Sequence, residues 1–175
     1  MAMRFFIKAI FFAGLALLSL PFISTAANGD TTGAGIALET PKNATPLSAP
    51  ITGVAGSSEE RLMDVVLVGP GSVGALTMTV ERTRASALDQ GPLQYSLERC
   101  DAAWMTTGTT YACPTTARVL RASAPLDPRA GVIELGGVEA GAVAHLKVRF
   151  SVAANAPDAI RGQSSGIEFS VTASL

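Results

Sequence analysis

The chain has 175 residues, with 13 basic and 14 acidic side chains, one histidine, two cysteines and a formal net charge of −1. That balance excludes a strongly basic nucleic-acid binder, and one histidine excludes a histidine-rich zinc centre.

The first element is an export signal. Arg4 and Lys8 form a short basic region, and an apolar run from Ala9 to Ile23 follows, broken only by Gly14, Ser19 and Pro21. Small residues come next, Ser24, Thr25, Ala26 and Ala27, which suit cleavage after Ala26 or Ala27. A retained anchor is the competing reading, but the run is short against the ~20 apolar residues of a full span. Setting residues 1–27 aside leaves 148 of the 175 residues, the size of one domain. It also removes Arg4 and Lys8, leaving 11 basic against 14 acidic side chains, a charge of −3. No second apolar stretch, lipid-acceptor cysteine or anchoring tail is evident. The expectation is a secreted, extracellular or cell-surface protein with no stable membrane span after signal cleavage and no nucleic-acid partner.

Residues 28–57 are rich in Gly, Thr, Ala, Ser and Pro. Such a stretch buries too little apolar surface to offset its ordering entropy, so a flexible leader is expected. Its one strand-like piece is Gly35 to Thr40, in which Ile36 and Leu38 alternate with Ala37 and Glu39. Two roles are open for it. Ile36 and Leu38 are candidates for a self-assembly strand that fills pockets on a neighbouring subunit, or the leader is a passive spacer.

A β-domain is expected over 58–175. Leu76, Met78 and Val80 alternate with polar residues, as do Leu93, Tyr95 and Leu97. Ala144, Leu146, Val148, Phe150 and Val152 do the same, and so do Ile167, Phe169, Val171 and Ala173. Period two means one buried and one wet face, the habit of antiparallel sheets. Further short strands are expected at 61–68, 109–113, 118–122 and 132–135. Gly and Pro punctuate the gaps, at Gly69-Pro70-Gly71, Gly91-Pro92, Asp127-Pro128, Gly136-Gly137 and Ala156-Pro157-Asp158. Seven to nine short strands at this spacing predict an all-β, antiparallel β-sandwich of jelly-roll type.

Cys100 and Cys113 both follow the signal and so reach an oxidising space. They lack redox-active Cys-x-x-Cys spacing and are expected to form a structural disulfide. Trp104 lies between them, either packed on the disulfide or presented as a sugar or protein contact.

Catalytic motifs are weak. Gly69-Pro70-Gly71-Ser72-Val73-Gly74 matches G-x-G-x-x-G after the strand-like Val65 to Val68. A dinucleotide site would need a helix to begin near Ser72, and the following residues alternate like a strand. A turn between strands is expected instead. His145, the only histidine, sits on the polar side of its strand, without an H-E-x-x-H or G-x-S-x-G motif to recruit it. Asp127 and Asp158 could hold Ca²⁺ with loop carbonyls, but no EF-hand spacing supports this. The expectation is no catalytic residue, no cofactor and no metal.

Four segments together carry a resemblance: LQYSLERCDAAW, TTYACP, GGVEAGAVAHLKVRFSVAANAPD and RGQSSGIEFSVTASL. They resemble the TasA/camelysin group of exported bacterial proteins, over about residues 60–175. The matching residues are Cys100, Trp104, Cys113, Leu146, Gly162, Gln163, Ser164 and Phe169. The resemblance implies a jelly-roll sandwich, secretion, and assembly into biofilm-matrix fibres. The long leader departs from the group's pattern, and its peptidase label finds no motif here. The implied function is a structural protein of the cell surface or matrix, self-associating or bound to other matrix or surface components. The alternative is a monomeric adhesion or carbohydrate-binding β-module.

Overall fold

In a computed structural model the described residues are 35–42, 44–45, 51–68, 72–84, 91–126, 131–139 and 141–174. The signal segment lies outside them. The strands are β1 (Gly35–Glu39), β2 (Ile51–Thr52), β3 (Ser58–Val68), β4 (Val73–Arg84), β5 (Leu93–Cys100), β6 (Met105–Thr107), β7 (Thr110–Ala112), β8 (Arg118–Pro125), β9 (Ile133–Val138), β10 (Val143–Val152) and β11 (Ser164–Ser174). Each alternating run of the sequence lies inside one of them.

The fold is all-β and antiparallel. A five-stranded sheet runs β1-β3-β10-β5-β8, a four-stranded sheet runs β2-β11-β4-β9, and β6-β7 form a separate hairpin. The inward residues of both large sheets meet in one core. Met63, Val65, Leu97, Leu146 and Val148 come from the first, and Leu76, Met78, Leu135, Phe169 and Val171 from the second. Phe150 and Phe169 meet across the gap with ring centroids 6.3 Å apart. Alternation produces this layering because successive side chains on a strand point to opposite faces.

The domain begins earlier than residue 58. β1 pairs with β3 in the register Ile36↔Leu67 and Leu38↔Val65, and Ile36 is buried in the core of its own chain. β2 pairs with β11 through Thr52↔Ser164 and Ile51↔Ser165, burying Ile51. The expected flexible leader therefore does not extend through residue 57. Alternation marks Gly35 to Thr40 as strand-like without showing that it joins its own sheet, and average composition hides β2, whose one buried side chain is Ile51.

The expected Gly-Pro turn at 69–71 lies outside the described residues; the strands on either side of it, β3 and β4, belong to different sheets. Strand begins at Val73, where a dinucleotide site would require a helix.

Arg61 occupies an inward position in β3 and is 1% exposed. It pairs with Glu59 and lies 5.4 Å from the centroid of the Phe150 ring. Burial, opposed by Glu59, lowers its guanidinium pKa below the ordinary value.

Candidate functional site

The outer face of the five-stranded sheet carries the densest group of functional side chains. Register places His145 between Asp64 and Cys100, and Lys147 between Leu62 and Glu98, on three adjacent strands. Lys147 Nζ lies 3.1 Å from Glu98 Oε2 and 3.5 Å from Glu60 Oε1. One cation between two carboxylates relieves a repulsion that Glu60 and Glu98 would otherwise bring to the sheet.

The loop between the two cysteines folds back over this face. Cys100 and Cys113 form a disulfide with their Cα atoms 5.8 Å apart. From that tether Tyr111, in β7, reaches back to the sheet. The Tyr111 backbone N–H donates to Glu60 Oε2 at 2.9 Å, and Lys147 Nζ donates to the Tyr111 carbonyl at 3.1 Å. Trp104 roofs the cluster, with Lys147 Nζ 4.5 Å from its ring centroid. A cation over an indole face contributes ~0.5–2 kcal/mol according to how far it is desolvated. Trp104 thus makes a cation–π contact with a lysine of the sheet. Its Nε1 is enclosed, with no hydrogen-bond partner among the described residues.

Leu62 and Cys100 are buried outside the main core. They point to the outer face, and the loop covers them there. The sequence signal for this roof was available in the Cys-x₁₂-Cys loop and its Trp. The surface it covers was not, because alternation alone marks the outer face as wet.

His145 is not the freely solvated residue its place on a polar face suggests. Its Nδ1 lies 2.8 Å from Asp64 Oδ1, with side chains 18% and 20% exposed. A nucleophilic triad needs a hydroxyl as well, and no serine or threonine is hydrogen-bonded to His145 among the described residues. No group of three or more His, Cys, Asp or Glu side chains among the described residues could hold a metal. Asp158 opens a short 3-10 turn and faces Arg161 at 3.8 Å, both highly exposed. Asp127 lies outside the described residues. No helix among the described residues is long and apolar enough to cross a membrane.

Ile36 and Leu38 lie at the far edge of the same sheet, away from the disulfide loop. The structure does not join them to the Lys147 cluster.

A shallow cleft of about 220 Å³ opens where β2 meets the ends of β3 and β10, lined by Ile51, Thr52, Ser58, Glu59, Phe150 and Val152 among others. Its floor is the main core rather than a set of converging polar groups.

No protein-family model matches the chain, and no curated protein matches it.

Proposed function

We propose that the chain is a secreted structural protein of the bacterial cell surface or extracellular matrix, of TasA/camelysin type and jelly-roll connectivity, that self-associates by exchange of β1. The role is architectural, without catalysis. The observation that carries this reading is the position of β1. It is a five-residue strand at the edge of its sheet, joined to β2 by eleven intervening residues. Its two core-facing side chains, Ile36 and Leu38, dock on Leu67 and Val65. The same contacts form if β1 of one copy docks on β3 of another, so exchange preserves the hydrogen bonds and burial while linking subunits. The Cys100–Cys113 disulfide favours an oxidising compartment and agrees with export.

Paired cysteines at Ala37 and Val66, which face each other in the β1-β3 register, test the exchange. The signal-free protein carrying Ala37→Cys and Val66→Cys is oxidised at high concentration and run on a non-reducing gel. Exchange yields a ladder of covalent oligomers with the 37–66 bond mapped between chains. Bonds formed only within one chain would overturn exchange. Deletion of residues 28–40 separates exchange from a spacer role: unchanged assembly after deletion would favour the spacer.

A further inference from the structure

We infer that the seam between β8 and β9 is an oxyanion-binding site, formed by the guanidinium groups of Arg99 and Arg118 over the backbone at Gly136. The inference is independent of the assembly reading, since it concerns the opposite edge of the five-stranded sheet from β1.

β8 and β9 are the outermost strands of their respective sheets. They approach each other without forming a ladder, and arginines bridge the opening. Arg99, reaching across from β5, donates through Nη1 to the Leu135 carbonyl at 2.6 Å and through Nη2 to the Gly137 carbonyl at 3.2 Å. Arg118, on β8, donates through Nη2 to the same Leu135 carbonyl at 2.9 Å. Two nitrogens 2.6 and 2.9 Å from one atom are at most 5.5 Å apart. Two positive charges therefore converge on one neutral oxygen. Neither arginine has a carboxylate within ion-pair distance among the described residues. Burial and the neighbouring Arg118, opposed by Asp101, lower the Arg99 pKa below its ordinary value.

The guanidiniums pack directly on the β9 backbone. Gly136 has φ +85°, and a Cβ there would lie 3.0 Å from Arg118 Nη2 and 3.2 Å from Arg99 Nη1. Glycine thus lets both guanidiniums close on the backbone, where a side chain would press on them. Arg118 and Gly137 are both exposed, so the pair is open to solvent on that side. A guanidinium carries five N–H donors. The bonds to β9 occupy two from Arg99 and one from Arg118, and a planar fork with donors to spare suits carboxylate or sulfate oxygens. An oxyanion here would offset the repulsion between the two cations. It could arrive as a free ion or as the acidic group of a polysaccharide.

Nuclear magnetic resonance titration of the ¹⁵N-labelled, signal-free protein tests the site. Sodium sulfate and oligouronate are the two probes, each at constant ionic strength. The expected result is saturable shifts at the Gly136 and Gly137 amides and the Arg118 Nε–H. Saturation by sulfate identifies a small-ion site, and saturation by oligouronate alone identifies a polysaccharide carboxylate. Arg118→Gln should weaken binding by about tenfold or more, as expected for loss of a charge-assisted bond. Arg118→Lys, which keeps the charge but loses the fork, should fall between. Arg149→Gln, on the outer sheet face, should leave binding unchanged. Absence of saturation with both probes would overturn the site. So would equal weakening by Arg118→Gln and Arg149→Gln, which would reveal diffuse attraction.

Discussion

At the scale of single residues, Lys147 has the strongest constraints. It neutralises Glu60 and Glu98, donates to the Tyr111 carbonyl and sits against Trp104, with only 11% of its side chain exposed. Lys147→Met keeps the aliphatic length and removes the charge, leaving two carboxylates facing each other under a roof. Loss of one partner from such a partly buried network should destabilise the fold by ~1–3 kcal/mol. Urea unfolding monitored by far-ultraviolet circular dichroism measures this, and an unchanged midpoint would show the network to be ornamental to stability. His145 makes a simpler pair with Asp64 near the surface. His145→Ala should therefore cost about 0.5–1.5 kcal/mol, the net worth of one side-chain hydrogen bond. The serviceable control is the double variant with Asp64→Asn, whose cost should be close to that of either single change.

At the scale of elements, the disulfide loop and β9 behave differently. The 101–112 roof is held at its ends by Cys100 and Cys113, and just before Cys113 by Tyr111. Breaking the covalent tether with Cys100→Ser and Cys113→Ser should cost ~3 kcal/mol in the chain-entropy account. The roof should loosen locally before the sandwich unfolds, because Leu62 and Cys100 lie outside the main core. Trp104 fluorescence shifting to the red in the double serine variant, with far-ultraviolet circular dichroism unchanged, would report that loosening. The reverse order would show that the roof and core form one cooperative unit. In β9 the limiting feature is close backbone approach. A Cβ at Gly137 would lie 2.9 Å from both the Val73 and Gly74 carbonyl oxygens. Backbone cannot swing aside as a flexible side chain can, so Gly137→Ala should cost ~1–3 kcal/mol as an overpacking strain. A thermal melt checks this, and Gly131→Ser is not a suitable control because Gly131 has φ +80°.

At the scale of the whole molecule, one core joins the two sheets, and the closing elements sit at their rims. Leu146 is fully buried at the centre of β10, between β3 and β5. Leu146→Ala should lower stability by ~2–5 kcal/mol through lost transfer energy and a residual cavity. The same loss should appear by circular dichroism and by Trp104 fluorescence if the sheets unfold together. The rims are where association would occur. β1 closes one edge of the five-stranded sheet with only five residues, whereas at the opposite edge Arg118 of β8 and Arg99 of the adjoining β5 are both tied to β9. Under the proposed assembly reading, this contrast favours β1 as the exchanging edge.

The amino-acid sequence by itself determined the all-β class, the positions of the long strands and the pairing of the two cysteines. Alternation over 144–152 and 167–173 survives intact because strand geometry converts sequence parity directly into facing. With only two cysteines in the chain, Cys100 and Cys113 had only each other to pair with. Tertiary structure decided what parity does not encode. It set which edge accepts Gly35–Glu39, since strand addition depends on a backbone ladder with little side-chain signature. It turned an outward-facing Leu62 into a buried residue by folding a distant loop over it. It also brought Arg99 and Arg118 to one carbonyl of β9, 36 and 17 residues away. Contacts so far apart in the chain arise from how the two sheets close on each other, a consequence of the packed whole rather than of any local pattern.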